Sequence, residues 1–144
     1  MIRTYNASDW DACLKLFCEV FNDEPWFDEW TMESASLYLS DIIGTPGFIG
    51  IVGLSNHELD GFMLGHTKHW WQGKEYFVHE MCVRRVSQGY GMGTAMMSFA
   101  KTELKTAGVE TITLLTSKGM PAEHFYLKNG FNELKHLRMY TAKL

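Results

Sequence analysis

Residues Val83-Arg84-Arg85-Val86-Ser87-Gln88-Gly89-Tyr90-Gly91-Met92-Gly93-Thr94 constrain this chain more than any other stretch. They lie between a strand-like segment, Glu75 to Val83, and a helix-like segment, Thr94 to Ala107. Glycines at alternate positions supply dihedrals that other residues resist and let backbone come close to a ligand. A helix starts at once, so its free N–H groups and its dipole aim at the same point. Strand, glycine turn and helix in that order make an anion site, most often for a phosphate.

Two well-known phosphate loops do not fit. The lysine-bearing loop needs Gly-Lys-Ser/Thr at its end, and no Lys follows Gly93. The dinucleotide fingerprint needs Gly-x-Gly-x-x-Gly, whereas the spacing here is Gly89-x-Gly91-x-Gly93. Taken alone, the run also fits a glycine-rich turn with no ligand. Gln88-Gly89-Tyr90-Gly91-Met92-Gly93 resembles the Gln/Arg-Gly-x-Gly-x-Gly signature of the GNAT superfamily of N-acetyltransferases. A second block, Ala122-Glu123-His124-Phe125-Tyr126-Leu127-Lys128-Asn129-Gly130-Phe131, resembles that family's Ala-x-x-Phe-Tyr-x-Lys-x-Gly-Phe pattern. Two blocks in the family's order are more specific than either alone. The resemblance is clear over about residues 75–140 and weaker before them.

Spacing along the chain predicts an α/β fold. Ile2 to Tyr5 reads as a strand. Ser8 reads as the cap of a helix whose apolar face is Trp10, Leu14, Phe17 and Phe21. Thr31 caps a second helix with Ala35, Tyr38, Leu39 and Ile42 on its inner face. Strands are predicted at Phe48 to Leu54, Leu59 to Thr67, Glu75 to Val83 and Thr111 to Thr116. A helix follows from Pro121 to Asn129, and Phe131 to Thr141 is expected to close the sheet as one or two strands. The order matches the GNAT fold, which implies a mixed central sheet of about six or seven strands flanked by about four helices over a single 1–144 domain.

Composition excludes several other classes. No apolar run approaches the ~20 residues of a membrane helix, and the first residues lack the apolar core of a signal peptide. Cys13, Cys18 and Cys82 are an odd set without a Cys-x-x-Cys pair. That argues against a disulfide framework or a zinc site and fits a reducing, cytoplasmic location. The net charge of −4 gives no general attraction to nucleic acid. Charge is unevenly spread: residues 7–41 hold nine acids and one base, while residues 84–143 hold nine bases and four acids. An anionic cofactor at one end and a cationic acceptor at the other would account for the split.

The resemblance implies acetyl-CoA as cofactor and assigns residues. The amides of Gln88, Gly89, Tyr90, Gly91, Met92, Gly93 and Thr94 would hold the pyrophosphate. Met81, Cys82 and Val83 would run beside the pantetheine arm on a strand that splays from its neighbour. Ser117, Ala122, Phe125 and Lys128 would complete the cofactor site. The family commonly has proline where this chain has Arg85. Tyr126 takes the position of a phenol that protonates the leaving thiolate in many members. The base lies on the strand before the glycine loop, at Glu80 or at His79. The two are adjacent on a strand, so they are expected to face opposite sides of the sheet, with only one reaching the cleft.

Asn22-Asp23-Glu24-Pro25-Trp26-Phe27-Asp28-Glu29-Trp30 combines acids with large aromatics, and His69-Trp70-Trp71 adds two indoles. Indole faces with carboxylates suit an ammonium group. Asp23, Glu24, Trp26, Trp30, Trp70 and Trp71 are therefore the expected acceptor-binding residues, for a small cationic amine of polyamine, aminoglycoside or arylalkylamine type. The same tryptophans would equally serve to pack the loop onto the core. Other readings stay open: acetylation of a peptide or protein N-terminus, or a non-catalytic acyl-CoA-sensing domain. Acetylation of charged tRNA is disfavoured by the acidic half, and neither nucleic acid nor membrane is an expected partner. Homodimers are common in the family and stay open here.

Overall fold

Arg3 sets the start of the chain by gripping Asp9 with both guanidinium nitrogens, at 2.8 and 2.7 Å. Asp9 also accepts the Asn6 N–H at 2.9 Å, while the Asn6 side chain accepts the Ser8 N–H at 3.0 Å. This reciprocal cap belongs to Asn6, not to Ser8, and closes a 3-10 turn over Ala7–Asp9. The first α-helix therefore begins only at Trp10. Thr31 caps the second helix as expected, and Ser34 makes the cap reciprocal.

The computed structural model describes all residues from 1 to 144. The strands are β1 (Ile2–Thr4), β2 (Phe48–Ser55), β3 (Glu58–Trp70), β4 (Gly73–Val83) and β5 (Thr111–Leu114). The helices are α1 (Trp10–Phe21), α2 (Met32–Ile43), α3 (Met92–Thr106) and α4 (Pro121–Lys128). The sheet order is β1-β2-β3-β4-β5. Its first four strands pair antiparallel, and β4 pairs with β5 parallel. A parallel pair needs a long crossover, which α3 supplies.

Both faces of the sheet are covered, so alternate residues enter different cores. Phe62 and Leu64 pack with Leu16, Phe17 and Leu39 from α1 and α2. Met63 and Tyr76 pack with Met96, Met97 and Leu104 from α3. Nearly continuous apolar runs follow from that two-sided burial.

The sheet has five strands, fewer than the six or seven expected. Residues 131–144 form no strand. Leu134 and Leu137 lie three apart and Met139 and Tyr140 are adjacent, so no single sheet face would collect all four. They are exposed, and Leu137 N–H instead bonds Leu134 O at 3.1 Å in a turn.

A buried carboxylate anchors the end of β4. Asp60 Oδ1 accepts from Arg84 Nε at 2.8 Å, and its Oδ2 accepts from Ser87 Oγ at 2.8 Å. Burial pushes the Asp60 pKa up, but the bonds from Arg84 and Ser87 outweigh it and hold the acid below its ordinary value. A carboxyl with a depressed folded pKa adds stability above its unfolded value and loses it as pH falls through the folded one. Asp60→Asn should therefore destabilise the fold by about 1–3 kcal/mol near neutral pH, with the difference shrinking on acidification. Urea unfolding of both proteins at neutral and acid pH checks this. Equal stability at neutral pH would contradict it.

Candidate active site

The site exists because β4 outlasts its parallel neighbour. The last pair is Val78 with Leu114, while β4 continues to Val83. Met81, Cys82 and Val83 keep partners only on the β3 side, opposite Met63, Phe62 and Gly61. Their other edge opens into a cleft, as the resemblance implies.

The same strand carries a register slip. Leu64 lies opposite Glu80 and Gly65 opposite Val78, so His79 is an extra, unpaired residue. Such a bulge shifts the alternation by one. Tyr76, Val78, Met81 and Val83 all reach the α3 side. Glu80 bonds Tyr38 of α2, and His79 stacks on His66, which shares the parity of Phe62 and Leu64. His79 and Glu80 thus point to the same face, which corrects the expectation that only one could reach the cleft. Gly65 permits the slip, since a Cβ there would lie 2.3 Å from Phe77 O.

Two cavities flank the cleft and share a wall. The larger, about 680 Å³, runs past Met81, Cys82, Val83, Gln88, Gly89, Gly91, Met92, Gly93, Thr94, Ala122, Phe125 and Lys128. The smaller, about 240 Å³, is lined by Phe17, Phe21, Trp26, Asp28, Trp30, His79, Glu80 and Ser117 among others. Phe21, Trp26, Met81, Ala122 and Tyr126 border both. Ser117 therefore lies on the smaller cavity, away from the glycine loop.

The glycine loop keeps its backbone N–H groups uncovered, as an anion site requires. Gly89 and Gly91 have φ of +83° and +89°, and a Cβ on either would meet nothing. No side chain caps α3, whose N-cap is Gly91, so its first-turn N–H groups stay available. Gln88 braces the loop by donating from Nε2 to Val83 O at 2.9 Å. Tyr90 is 87% exposed and lines neither cavity.

Tyr126 stands at the junction, and its hydroxyl makes no hydrogen bond within the chain. Burial, with Glu80 and Cys82 nearby, pushes its pKa up to about 12, so the phenol keeps its proton. Glu80 Oε1 accepts from Tyr38 Oη at 2.6 Å. Burial raises the Glu80 pKa, the Tyr38 bond opposes the rise, and Asp28 adds to it. His66 Nδ1 lies 2.7 Å from His79 Nε2, so one proton bridges the rings. Burial, His66 and Lys68 lower the His79 pKa and keep it neutral.

Trp30 stacks on Tyr38 at 5.2 Å and donates from Nε1 to Asp28 Oδ2 at 3.0 Å. Asn22 clasps the Trp30 backbone at both N–H and C=O, each at 2.8 Å. Trp26 and Trp30 thus pack the loop onto α1 and α2 and line the smaller cavity as well. Asp23 and Glu24 are placed elsewhere: both pair with Arg85 and border the larger cavity. Trp70 and Trp71 sit exposed at the β3–β4 hairpin and border neither. The sequence placed Tyr38 only on the inner face of its helix, without its bond to Glu80, and pointed neither to His66 nor to the role of Asp28. The slip had a signal: the apolar alternation of β4 changes phase between Val78 and Met81.

The Acetyltransferase (GNAT) family matches residues 10–131. No curated protein matches the sequence. A possible acetyltransferase from Clostridium difficile 630 superposes with a TM-score of 0.83 at 14% identity, covering 100% of this chain and 97% of that one. An aminoglycoside acetyltransferase from an uncultured soil metagenomic sample, solved with sisomicin, gives 0.78 at 15% identity, covering 100% and 95%. Aminoglycoside N-acetyltransferase AAC(6')-Iy, solved with CoA, gives 0.76 at 12% identity and 100% of both chains. At these identities the likeness concerns the fold.

The Tyr38 bond to Glu80 is directly testable. Tyr38→Phe removes a donor to the ionised carboxylate, so the Glu80 pKa should rise further. Carbon-13 NMR titration of the Glu80 carboxyl checks it. An unchanged or lower value would contradict the geometry.

Proposed function

On the premise that this chain belongs to the acetyltransferase (GNAT) family, we propose that it moves an acetyl group from acetyl-CoA to the primary amine of a small cationic acceptor. Attack is direct, within a ternary complex. The observation that carries this reading is the meeting of two cavities at Tyr126 and Met81, one beside the glycine loop, the other lined by Asp28, Glu80 and indoles.

Acetyl-CoA, when bound, supplies the thioester-activated acetyl group. The N–H groups of Gly89 to Thr94 bind its pyrophosphate, with Lys128 as a nearby cation. The free edge of Met81 to Val83 pairs with the pantetheine amides. A strand N–H at Met81 or Cys82 donates to the thioester carbonyl as negative charge develops there.

In the smaller cavity Asp28 and Glu80 attract the ammonium while Trp26 and Trp30 offer their ring faces. Glu80 then takes one ammonium proton, since burial has made it a stronger base than an exposed carboxylate. His79, held neutral beside it, forms the polar part of the wall. Tyr126 donates its phenolic proton toward the leaving thiolate. A phenol near pKa 12 is a weaker acid than a solvated thiol, so its main effect is a hydrogen bond that stabilises the thiolate. Transfer becomes easier because the same burial raises the thiol.

A cavity of about 240 Å³ suits one amine arm of a polyamine or an arylalkylamine better than a whole aminoglycoside. It also disfavours a peptide, which needs an open groove. The three unpaired cysteines support a reducing, cytoplasmic setting.

CoA release from acetyl-CoA over a panel of amines tests the reading. Wild type should turn over one class of small amine. Tyr126→Phe should lower kcat roughly 10²-fold or more with little change in KM. Asp28→Asn should raise the KM for the amine about tenfold. Binding of acetyl-CoA without turnover on any amine would favour a non-catalytic acyl-CoA-binding role.

A further inference from the structure

The ionisable side chains of the larger cavity are mostly acids, although its glycine loop favours an anion. Its lining carries Glu19, Asp23 and Glu24 against Arg85 and Lys128, three acids and two bases. Glu19 is already engaged by Arg84. The other two acids share one guanidinium. Arg85 Nη1 meets Asp23 Oδ2 at 3.1 Å, and Nη2 meets Glu24 Oε2 at 2.9 Å. Each terminal nitrogen thus holds one anionic oxygen, as it would on two oxygens of a phosphate.

The contact joins two working loops. Arg85 opens the 3-10 turn Arg85–Ser87, immediately before the glycine loop. Asp23 and Glu24 lie in the segment between α1 and α2, which carries Trp26 and Asp28 into the smaller cavity. Arg84 is no substitute for Arg85, because Asp60 and Glu19 already hold its guanidinium.

We propose that Arg85 is a phosphate ligand of the cofactor cavity, and that Asp23 and Glu24 hold its guanidinium as internal stand-ins until phosphate arrives. This rests on the cofactor reading above. Arg85, Asp23 and Glu24 are all more than half exposed, so the pairs are weakly held and yield to a group of higher charge. Phosphate binding releases the loop that bears Trp26 and Asp28, which couples the cofactor cavity to the acceptor cavity.

Calorimetric titration with CoA, and with pantetheine as a phosphate-free control, tests it on exposed side chains that leave the core untouched. Arg85→Gln should weaken CoA about tenfold. The pair Asp23→Asn and Glu24→Gln should tighten CoA roughly three- to tenfold, because a competing anion is removed. Pantetheine affinity should not move in either. In the Arg85→Gln background the carboxamide pair should give less than half of that gain, since the competition requires the guanidinium. Unchanged CoA affinity in Arg85→Gln overturns the proposal, as does an equal gain with and without Arg85. Failure of wild type to bind CoA would remove the cofactor reading and this proposal with it.

Discussion

The pairing of β4 is the constraint on which the rest of the site depends. Its β5 partner stops at Leu114, and its β3 partner skips His79. The first event frees one strand edge at Met81 to Val83. The second turns Glu80 and Cys82 toward α1 and α2 and brings Met81 and Val83 to the α3 side. An unslipped strand would put Glu80 under α3, where it could meet neither Tyr38 nor an acceptor. Backbone geometry thus places the chemistry before any side chain contributes.

Electrostatics divides the two cavities. The glycine loop offers N–H dipoles without a covering side chain, which favours anions. The smaller cavity offers Asp28 and Glu80, whose pKa burial raises, within an aromatic wall of Phe17, Phe21, Trp26 and Trp30. Neither field is strong through net charge. Both act because burial removes competing water. Tyr126, with its proton held by that same burial, stands where the fields meet.

Much of this was legible in the residues. The glycine loop and the Phe125-Tyr126 block are local patterns, so spacing alone carries them. Helix caps such as Thr31 are local as well. The slip at His79 depends on Gly65, fourteen positions away on another strand, and the opposite-face expectation failed for that reason. Asp23 and Glu24 read as free acceptor carboxylates because their partner Arg85 is 62 and 61 residues distant. Trp70 and Trp71 matched the chemistry sought, but the length of the β3–β4 hairpin carries them beyond the cleft. The closing strands were read from apolar content without a sustained period of two to support them.

Every proposed role follows from an anionic cofactor lying along β4 and the glycine loop. Titrating CoA into nitrogen-15-labelled protein and following backbone amide shifts tests that placement. The largest shifts should fall at Gly89 to Thr94 and at Met81 to Val83, with smaller ones at Phe125 and Tyr126. Shifts that avoid these residues, or saturating CoA that moves none of them, would contradict it.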